Sequence, residues 1–301
     1  MSYKKPNTAR NTVLKVTDAS ALMEFLLLKM GGMSRTSVKS LLAHRQVSVN
    51  HKITTQYDLP LKQGDTVSVN HTRGNTQLTH PKLRILHEDP YIIVVEKKEG
   101  LLTESTATGN VNEVTAFSIL KNYVKKASPQ NRIYIVHRLD RETSGVLVFA
   151  KSKDIQLRLQ DNWHRVVTRR TYFALVEGKM EKPTDTIMSW LTENPKSLKI
   201  HSSNVDNGGQ QAITHYKTIK SNEQYSLLEI NLETGRKNQI RVHMQSVGHP
   251  VAGDKKYGSL SQPLGRIGLH ASILEFYHPA TNEIVRFDVP VPRTFLQIFR
   301  K

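Results

Sequence analysis

The sequence predicts an α+β protein with a large mixed or antiparallel sheet, preceded by a small α/β domain. Short apolar runs typical of buried strands recur at irregular spacing through the last two thirds of the chain. Two segments among them, residues 114–124 and 154–163, have helical apolar spacing, which is too few for a regular βαβ repeat. A polar stretch at residues 71–81 separates these runs from an earlier, more helical part.

The first domain is predicted over residues 12–70, with two helices followed by short strands. Residues 21–30 have an amphipathic helical pattern, and Ser34 is a suitable N-cap for a second helix. Residues 47–50 then alternate as a strand, and a Gly-Asp turn precedes another strand at residues 66–69.

The second domain is predicted over residues 82–301, after the linker at 71–81. Its strands are expected to be mostly buried, because their apolar runs are nearly continuous. The runs that predict strands are 92–95, 133–136, 146–150, 172–176, 227–230 and 239–242.

The composition favours a polyanionic partner. The chain has 43 Lys and Arg against 26 Asp and Glu, which gives a formal net charge of +17. Such an excess repels itself, and neutralising phosphates of a nucleic acid would explain it. The absence of cysteine excludes disulfides, thiolate nucleophiles and zinc sites that depend on sulfur. No secretory signal follows Met1, so a cytoplasmic protein is expected.

Four cations in the first domain are candidates for phosphate contacts. Arg35 and Lys39 lie four residues apart on the predicted second helix, opposite its apolar stripe. Arg45 follows at the end of the helix, and Lys52 lies just beyond the next strand. Charge alone favours the simpler interpretation, a solvated helix face.

The first domain also resembles the S-four RNA-binding domain, named for a ribosomal protein. The resemblance covers residues 12–70 and rests on three features: a Ser-Arg helix start at residues 34–35, a Val-x-Val-Asn strand at 47–50 and a Gly-Asp-x-Val hairpin at 64–67. It implies binding to structured RNA through the basic helix face that carries Arg35 and Lys39.

Residues 137–145, His-Arg-Leu-Asp-Arg-Glu-Thr-Ser-Gly, form a polar loop between two predicted buried strands. Rigid strands that hold a short polar loop are a common setting for catalytic groups. Gly145 would let the loop turn sharply into the second strand. From the residues alone, a charged surface hairpin with Asp140 as a turn former is an equal alternative.

This loop resembles the signature of the RluA-type pseudouridine synthases, His-Arg-Leu-Asp followed by Thr-Ser-Gly. Further segments resemble that family in the same order, so that the resemblance spans about residues 82–299. It implies a pseudouridine synthase fold and an RNA substrate. The further segments are 170–178, 233–243, 248–258 and 269–271.

The implied reaction places modest demands on the protein. Uridine isomerisation breaks the N-glycosidic bond and joins carbon five of the base to the same sugar, with nothing gained or lost. No metal or other cofactor is therefore expected, and the sequence has no Walker loop, G-x-G-x-x-G or H-E-x-x-H motif. One ionised carboxylate, Asp140, could act as nucleophile at the anomeric carbon or as base on the 2′ hydrogen of the sugar. The sequence leaves both roles open.

The resemblance implies roles for three more residues. Arg241 would pair with Asp140 from another strand and keep its carboxylate ionised. Tyr172 would stack on the target base and help to remove the proton at carbon five. Arg138 would occupy the space left by the uridine when it leaves the RNA stack. His137 is interpreted as a structural histidine.

The chain departs from the family pattern at three places. Lys98-Glu99 replaces Pro-x in the Lys-Pro-x-Gly turn, Thr103-Glu104-Ser105 replaces the common Val-His-Pro, and Lys237-Asn238 replaces Thr-His. These positions are expected to shape substrate entry, so they bear on substrate identity more than on catalysis.

The sequence therefore predicts an RNA pseudouridine synthase acting on ribosomal RNA, with transfer RNA as the alternative substrate. A non-catalytic RNA-binding or ribosome-assembly protein that kept the fold is the alternative function. A nucleoside hydrolase acting on small molecules would explain neither the net charge of +17 nor the first domain.

Overall fold

The computed structural model describes residues 11–31, 33–43, 46–50, 52–70, 78–105 and 113–300. Contacts between residues divide the chain into two compact units, Met1–Gln77 and Leu78–Lys301. None of the helices in the described ranges has the length and apolar character needed to cross a lipid bilayer.

The described residues of the first unit form two helices and two small sheets. Strands β1, β6, β3 and β4 form an antiparallel sheet in that order, and β2 pairs with β5. The prediction of helices followed by strands was wrong here, because β1 and β2 precede both helices; β1 is too short and too exposed for its alternation to stand out. The elements are β1 (Asn11–Lys15), β2 (Ser20–Ala21), α1 (Leu22–Lys29), α2 (Arg35–Ala43), β3 (Val47–Val49), β4 (Lys52–Ile53), β5 (Pro60–Leu61) and β6 (Thr66–Asn70).

Helix α2 is the element that carries the predicted basic face. Ser34 caps it, since its hydroxyl accepts a hydrogen bond from the backbone N–H of Ser37 at 3.1 Å. Val38 and Leu42 are fully buried against the core of the unit, together with Leu26 of α1. The opposite face of α2 is exposed to solvent.

The second unit carries one large sheet with helices on both faces. Helix α3 begins with a capping box formed by Thr115 and Ser118. The elements are β7 (Leu83–Glu88), β8 (Ile92–Lys97), α3 (Ala116–Ala127), β9 (Tyr134–Ile135), β10 (Ser144–Ala150), α4 (Lys153–Asp161), α5 (Trp163–Val166), β11 (Val167–Glu177), β12 (Thr184–Glu193), β13 (Ile200–Ser203), β14 (Gln210–Ser221), β15 (Tyr225–Leu232), α6 (Gln239–Ser246), β16 (Leu269–Tyr277), β17 (Ile284–Asp288) and α7 (Arg293–Gln297).

The large sheet has eleven strands among the described residues, in the order β13-β12-β14-β15-β11-β16-β10-β8-β7. Strand β17 pairs with β16, and β9 pairs with β10. Strands β10 and β16 are parallel to each other, and the other pairs are antiparallel. The sheet is therefore mixed, and the α+β fold class predicted from the sequence is confirmed.

Strands β8 and β10 form the centre of the unit, and all their residues are buried. Alternate side chains point to opposite faces of the sheet. Ile93 and Phe149 pack on one face against a cluster that includes Leu120 of α3. Val94 and Val148 pack on the other face, against a cluster that includes Leu159 of α4. This double burial explains the continuous apolar runs and gives the loop before β10 a rigid support.

The predicted strand at residues 239–242 is wrong, because this segment begins helix α6. Asn238 has a left-handed backbone conformation, with φ of 55°, which ends the preceding loop. The Gln239 side chain accepts a hydrogen bond from the backbone N–H of Arg236 at 2.9 Å and fixes the turn into the helix. Burial then continues through His243 and Met244, which is helical spacing that the first four residues alone do not reveal.

Candidate active site

The polar loop of residues 137–145 enters β10 through a sharp turn at Gly145. Gly145 has φ of +125°, and a Cβ atom there would lie 2.0 Å from the backbone oxygen of Ala271. At this point β10 and β16 pair in parallel, with Gly145 opposite Ala271. Both the backbone angle and the close approach therefore require glycine.

The loop is also held by a threonine from a neighbouring segment. The Thr103 hydroxyl donates to the carbonyl of Leu139 at 2.8 Å, and the backbone N–H of Leu139 approaches the same hydroxyl oxygen at 3.1 Å. Both residues are buried. Thr103 is one of the departures from the family pattern, so this departure fixes the residue next to Asp140.

Two cations, Lys97 and Arg266, hold the loop backbone through hydrogen bonds to its carbonyl oxygens. The ammonium of Lys97 donates to the carbonyl oxygens of Leu101 at 2.7 Å and Arg141 at 3.2 Å. Burial, and next the charge of Arg266, lowers the pKa of Lys97 to about 7. Arg266 pairs with Glu99 and donates to the carbonyl of Glu142 at 3.2 Å. The loop backbone is thus fixed at consecutive carbonyls, 141 and 142.

A cavity of about 900 Å³ opens beside this loop. Its wall is built from the loop, β11 and the residues around the start of α6, so segments far apart in sequence meet here. A cavity of this size, with a few convergent polar groups, fits a nucleotide. The lining includes His137, Asp140, Trp163, Arg170, Tyr172 and Arg241.

Asp140 and Arg241 form an ion pair within this cavity. Nη1 of Arg241 lies 3.2 Å from Oδ2 of Asp140, and the same nitrogen donates to the side-chain oxygen of Asn238 at 3.2 Å. The Asp140 side chain is 43% exposed, whereas that of Arg241 is 11% exposed. Asp140 is therefore open to a ligand in the cavity, and its partner is set into the wall.

The principal partner of Arg241 is Asp254, which the sequence analysis did not identify. Nε and Nη2 of Arg241 donate to the two carboxylate oxygens of Asp254 at 2.6 and 2.8 Å. Asp254 is almost fully buried, and the guanidinium also lies over the Tyr257 ring, 4.9 Å from its centroid. Burial alone would lower the pKa of Arg241, but the Asp254 bonds and the charges of both carboxylates raise it.

Tyr172 lies on β11 and packs against the two hydrophobic clusters on either side of it. Burial raises the pKa of the Tyr172 hydroxyl; the charge of Arg170 opposes this rise, and that of Asp140 adds to it. Tyr172 therefore stays protonated at neutral pH. Its ring lines the cavity that Asp140 also lines.

Arg138 also lines the cavity, and its side chain is 58% exposed. It forms an ion pair with Glu104 at 2.9 Å, so a second departure from the family pattern contacts the loop. His137 stacks on Trp163 with ring centroids 4.8 Å apart, and its Nε2 accepts from the backbone N–H of Val148 at 3.2 Å. Burial lowers the pKa of His137 to about 3, so the ring is neutral.

The candidate phosphate contacts of the first unit lie on its surface. Arg35 and Lys39 are exposed on α2, opposite Val38 and Leu42. Lys39 lies over the Tyr57 ring, 5.8 Å from its centroid. Lys52 is exposed on β4. The fourth predicted contact, Arg45, lies outside the described residues.

Comparison with known proteins identifies the class. Residues 91–246 match the family model described as RNA pseudouridylate synthase. The RNA pseudouridine synthase YhcT of Bacillus subtilis is 33% identical over 274 residues, which cover 89% of this chain and 88% of that protein. The ribosomal large subunit pseudouridine synthase D of Nitrosomonas europaea is 37% identical over 222 residues, covering 70% of this chain and 62% of that protein.

A solved structure agrees with this assignment. Human RNA pseudouridylate synthase domain containing 1 superposes with a TM-score of 0.54 at 25% identity, covering 69% of this chain and 83% of that one. The chain belongs to the RNA pseudouridylate synthase family, whose members are isomerases that act on RNA.

Proposed function

We propose that this enzyme converts specific uridines of ribosomal RNA to pseudouridine, with Asp140 as its catalytic carboxylate. The proposal rests on one observation above all. Asp140 is the exposed member of an ion pair with Arg241, in a cavity of about 900 Å³ whose wall also contains Tyr172. A carboxylate in this position can reach the sugar of a nucleotide that enters the cavity.

The acidic residues of the cavity favour isomerisation over hydrolysis. Among the described lining residues, Asp140 and Glu104 are the two that carry carboxylates. Both carboxylates form ion pairs, Glu104 with Arg138 and Asp140 with Arg241, and we assign the sugar chemistry to Asp140. A hydrolytic glycosidase needs a second carboxyl group to protonate its leaving group. An isomerase needs one, acting either as nucleophile or as base.

Three neighbours would serve the reaction. Arg241 would hold Asp140 in place through their ion pair. Tyr172 would stack on the uracil and help to remove the proton at carbon five. Arg138 would leave Glu104 and fill the space vacated by the flipped nucleotide.

The proposal of ribosomal RNA draws on the first unit and on one relative. The relative from Nitrosomonas europaea is named for the large ribosomal subunit. Residues 12–70 would form the RNA-binding domain, 71–81 the linker and 82–301 the catalytic domain. Arg35, Lys39, Arg45 and Lys52 would contact phosphates, which positions an RNA without reading its sequence.

Mapping pseudouridines tests the substrate. Ribosomal and transfer RNA would be sequenced for pseudouridine from cells that lack the gene, cells with the wild-type gene restored, and cells with Asp140→Asn restored. We expect one or more ribosomal sites that only the wild-type gene restores. Sites restored in transfer RNA alone would overturn the ribosomal assignment. Identical maps in all three strains would favour the non-catalytic alternative.

A further inference from the structure

Arg170 is a cavity residue whose charge has no counterpart among the described residues. It lies on β11 two positions before Tyr172, so both side chains point to the same face of the sheet. Nη2 of Arg170 donates to the backbone carbonyls of Glu233 at 2.7 Å and Leu232 at 3.3 Å. Both acceptors are neutral, and no described carboxylate forms an ion pair with Arg170.

Of the other half-buried or buried cations near the loop, Lys97 also has only backbone carbonyls, but it does not line the cavity. Arg241 has Asp254, and Arg266 has Glu99. Arg170 has only carbonyl dipoles, and burial lowers the pKa of its guanidinium. Burying an unpaired charge is costly, and Arg170 is half-buried in the cavity wall, where a ligand can supply the negative charge. Among the described residues, its hydrogen bonds are made by Nη2 alone, and Arg170 lines the cavity.

The lack of a side chain at Gly235 leaves room for this guanidinium. A Cβ atom at residue 235 would lie 2.5 Å from Nη1 of Arg170. Gly235 does not have a positive φ, so the backbone angle does not explain the glycine. The bare backbone instead leaves the space in which the guanidinium rests, and Gly235 itself lines the cavity.

We propose that Arg170 is a catalytic residue that stabilises the negative charge on uracil while the base is detached from the sugar. This proposal rests on the proposed function, because it assumes that uridine is the substrate. When the N1–C1′ bond breaks, its electron pair stays with the base and spreads over N1, C5 and the two carbonyl oxygens. If Asp140 acts as nucleophile, C1′ gains a bond to its carboxylate oxygen. If Asp140 acts as base, it takes the 2′ proton, and the electron pair of that C–H bond satisfies C1′.

The second half of the reaction removes the negative charge from the base. The C5–C1′ bond forms while the Asp140 bond breaks or the 2′ proton returns, C5 loses its proton, and N1 gains one. The negative charge on the base therefore exists only between the two halves. The charge of Arg241 is already shared between Asp254 and Asp140. Arg170, beside Tyr172, is placed to stabilise the charge on the base.

The test distinguishes a role of Arg170 at the anionic base from a role at the phosphate, the other anionic group of a nucleotide. Turnover and affinity of the full-length enzyme would be measured for Arg170→Gln and Arg170→Lys on the RNA that the wild type modifies. Arg169→Gln is the matched control, because Arg169 is the adjacent cation on β11 and contacts Thr171 and Glu229. We expect kcat to fall about 100-fold in Arg170→Gln, the usual scale for losing one charge-stabilising donor, with KM and the salt dependence of binding unchanged.

Two results would overturn the proposal. A higher KM with unchanged kcat, and a salt slope shallower by about one, would mean that Arg170 binds a phosphate. Arg170→Lys keeps the charge but loses the guanidinium fork, so we expect its kcat within about tenfold of the wild type. An equal loss in Arg170→Lys and Arg170→Gln would mean that Arg170 only supports the carbonyls of Leu232 and Glu233.

Gly235→Ala tests the same idea without removing the arginine. The added methyl group should displace the guanidinium without removing it, so kcat should fall in the wild type and fall no further in Arg170→Gln. Additive losses of kcat would contradict the proposed packing of the Arg170 guanidinium against Gly235. Failure of the proposed function is distinguishable, because it would appear as a wild type that forms no pseudouridine or an active Asp140→Asn.

Discussion

The cations of the two units differ in their surroundings. In the first unit, Arg35, Lys39 and Lys52 are exposed, and neither Arg35 nor Lys52 forms an ion pair within the described residues. In the second unit, Arg241 and Lys97 are buried and bonded to carboxylates or carbonyls of the protein. The net charge of +17 counts both kinds alike. Only exposed cations can exchange salt ions for phosphates, whereas buried ones fix the geometry of the site.

Replacing Arg241 should have the largest effect. Arg241→Met removes the partner of Asp140 and leaves Asp254 buried without its cation, so we expect no detectable pseudouridine and a loss of ~3–5 kcal/mol in the free energy of unfolding. The buried carboxylate left without its cation is Asp254, whereas Asp140 is 43% exposed. Urea unfolding and a pseudouridine assay on the same preparation would measure both effects.

A double variant separates the two roles of Arg241. Arg241→Met combined with Asp254→Leu should recover most of the stability, because removing both partners of a buried pair leaves no lone charge. It should recover no activity. An Arg241→Met enzyme that unfolds at the wild-type urea concentration would show that the pair with Asp254 contributes nothing.

Buried histidines should make the second unit sensitive to acid. Burial lowers the pKa of His243 and of His270 to about 4, whereas histidine in an unfolded chain titrates near 6.5. Between these values the unfolded state binds more protons, so stability should fall as the pH drops from about 6.5 to 4, by ~3 kcal/mol for each histidine. Urea unfolding at several pH values would measure this.

Two variants test whether the buried histidines cause the acid sensitivity. His270→Gln should reduce the loss of stability between pH 6.5 and 4.5, and His201→Asn should not, since His201 is exposed on β13. Stability that stays constant over this range would contradict the buried, neutral state of His243 and His270.

The exposed cations of the first unit should have smaller effects, confined to binding. Each of Arg35→Gln, Lys39→Gln and Lys52→Gln should weaken RNA binding and lower the log–log salt slope by about one, with kcat at saturating RNA unchanged. Filter binding at several salt concentrations, beside turnover, would measure this. Unchanged slopes in all three variants would mean that the basic face of α2, and Lys52 on β4, are an ordinary solvated surface.

The sequence predicted those parts of the site that local pattern determines. Strand β10 and the loop before it are specified by a continuous apolar run, a glycine and a polar segment between strands. Helix α6 was predicted as a strand, because Gln-Ile-Arg-Val fits both periods until His243 and Met244 are counted. Gly145 was expected to make a turn, but its contact with Ala271 depends on a strand more than a hundred residues away.

The pairing of distant polar groups could not be predicted in the same way. Asp254 lies in a segment that resembles the family, but its bond to Arg241 depends on how α6 meets the loop before the 3-10 turn at Lys255–Tyr257. Thr103 was noted only as a departure, although it holds Leu139 beside Asp140. Such contacts are set by tertiary packing, which a single sequence does not encode as a pattern.

The most direct measurement is pseudouridine formation by purified Asp140→Asn, with its RNA affinity measured at the same time. Asparagine keeps the shape of the side chain and removes the negative charge that acts as nucleophile or base. We predict wild-type affinity and salt slope, because Asp140 contributes to chemistry and the exposed cations contribute to binding. We also predict no pseudouridine, even with enzyme in excess over RNA. Activity within tenfold of the wild type would contradict the assignment of Asp140.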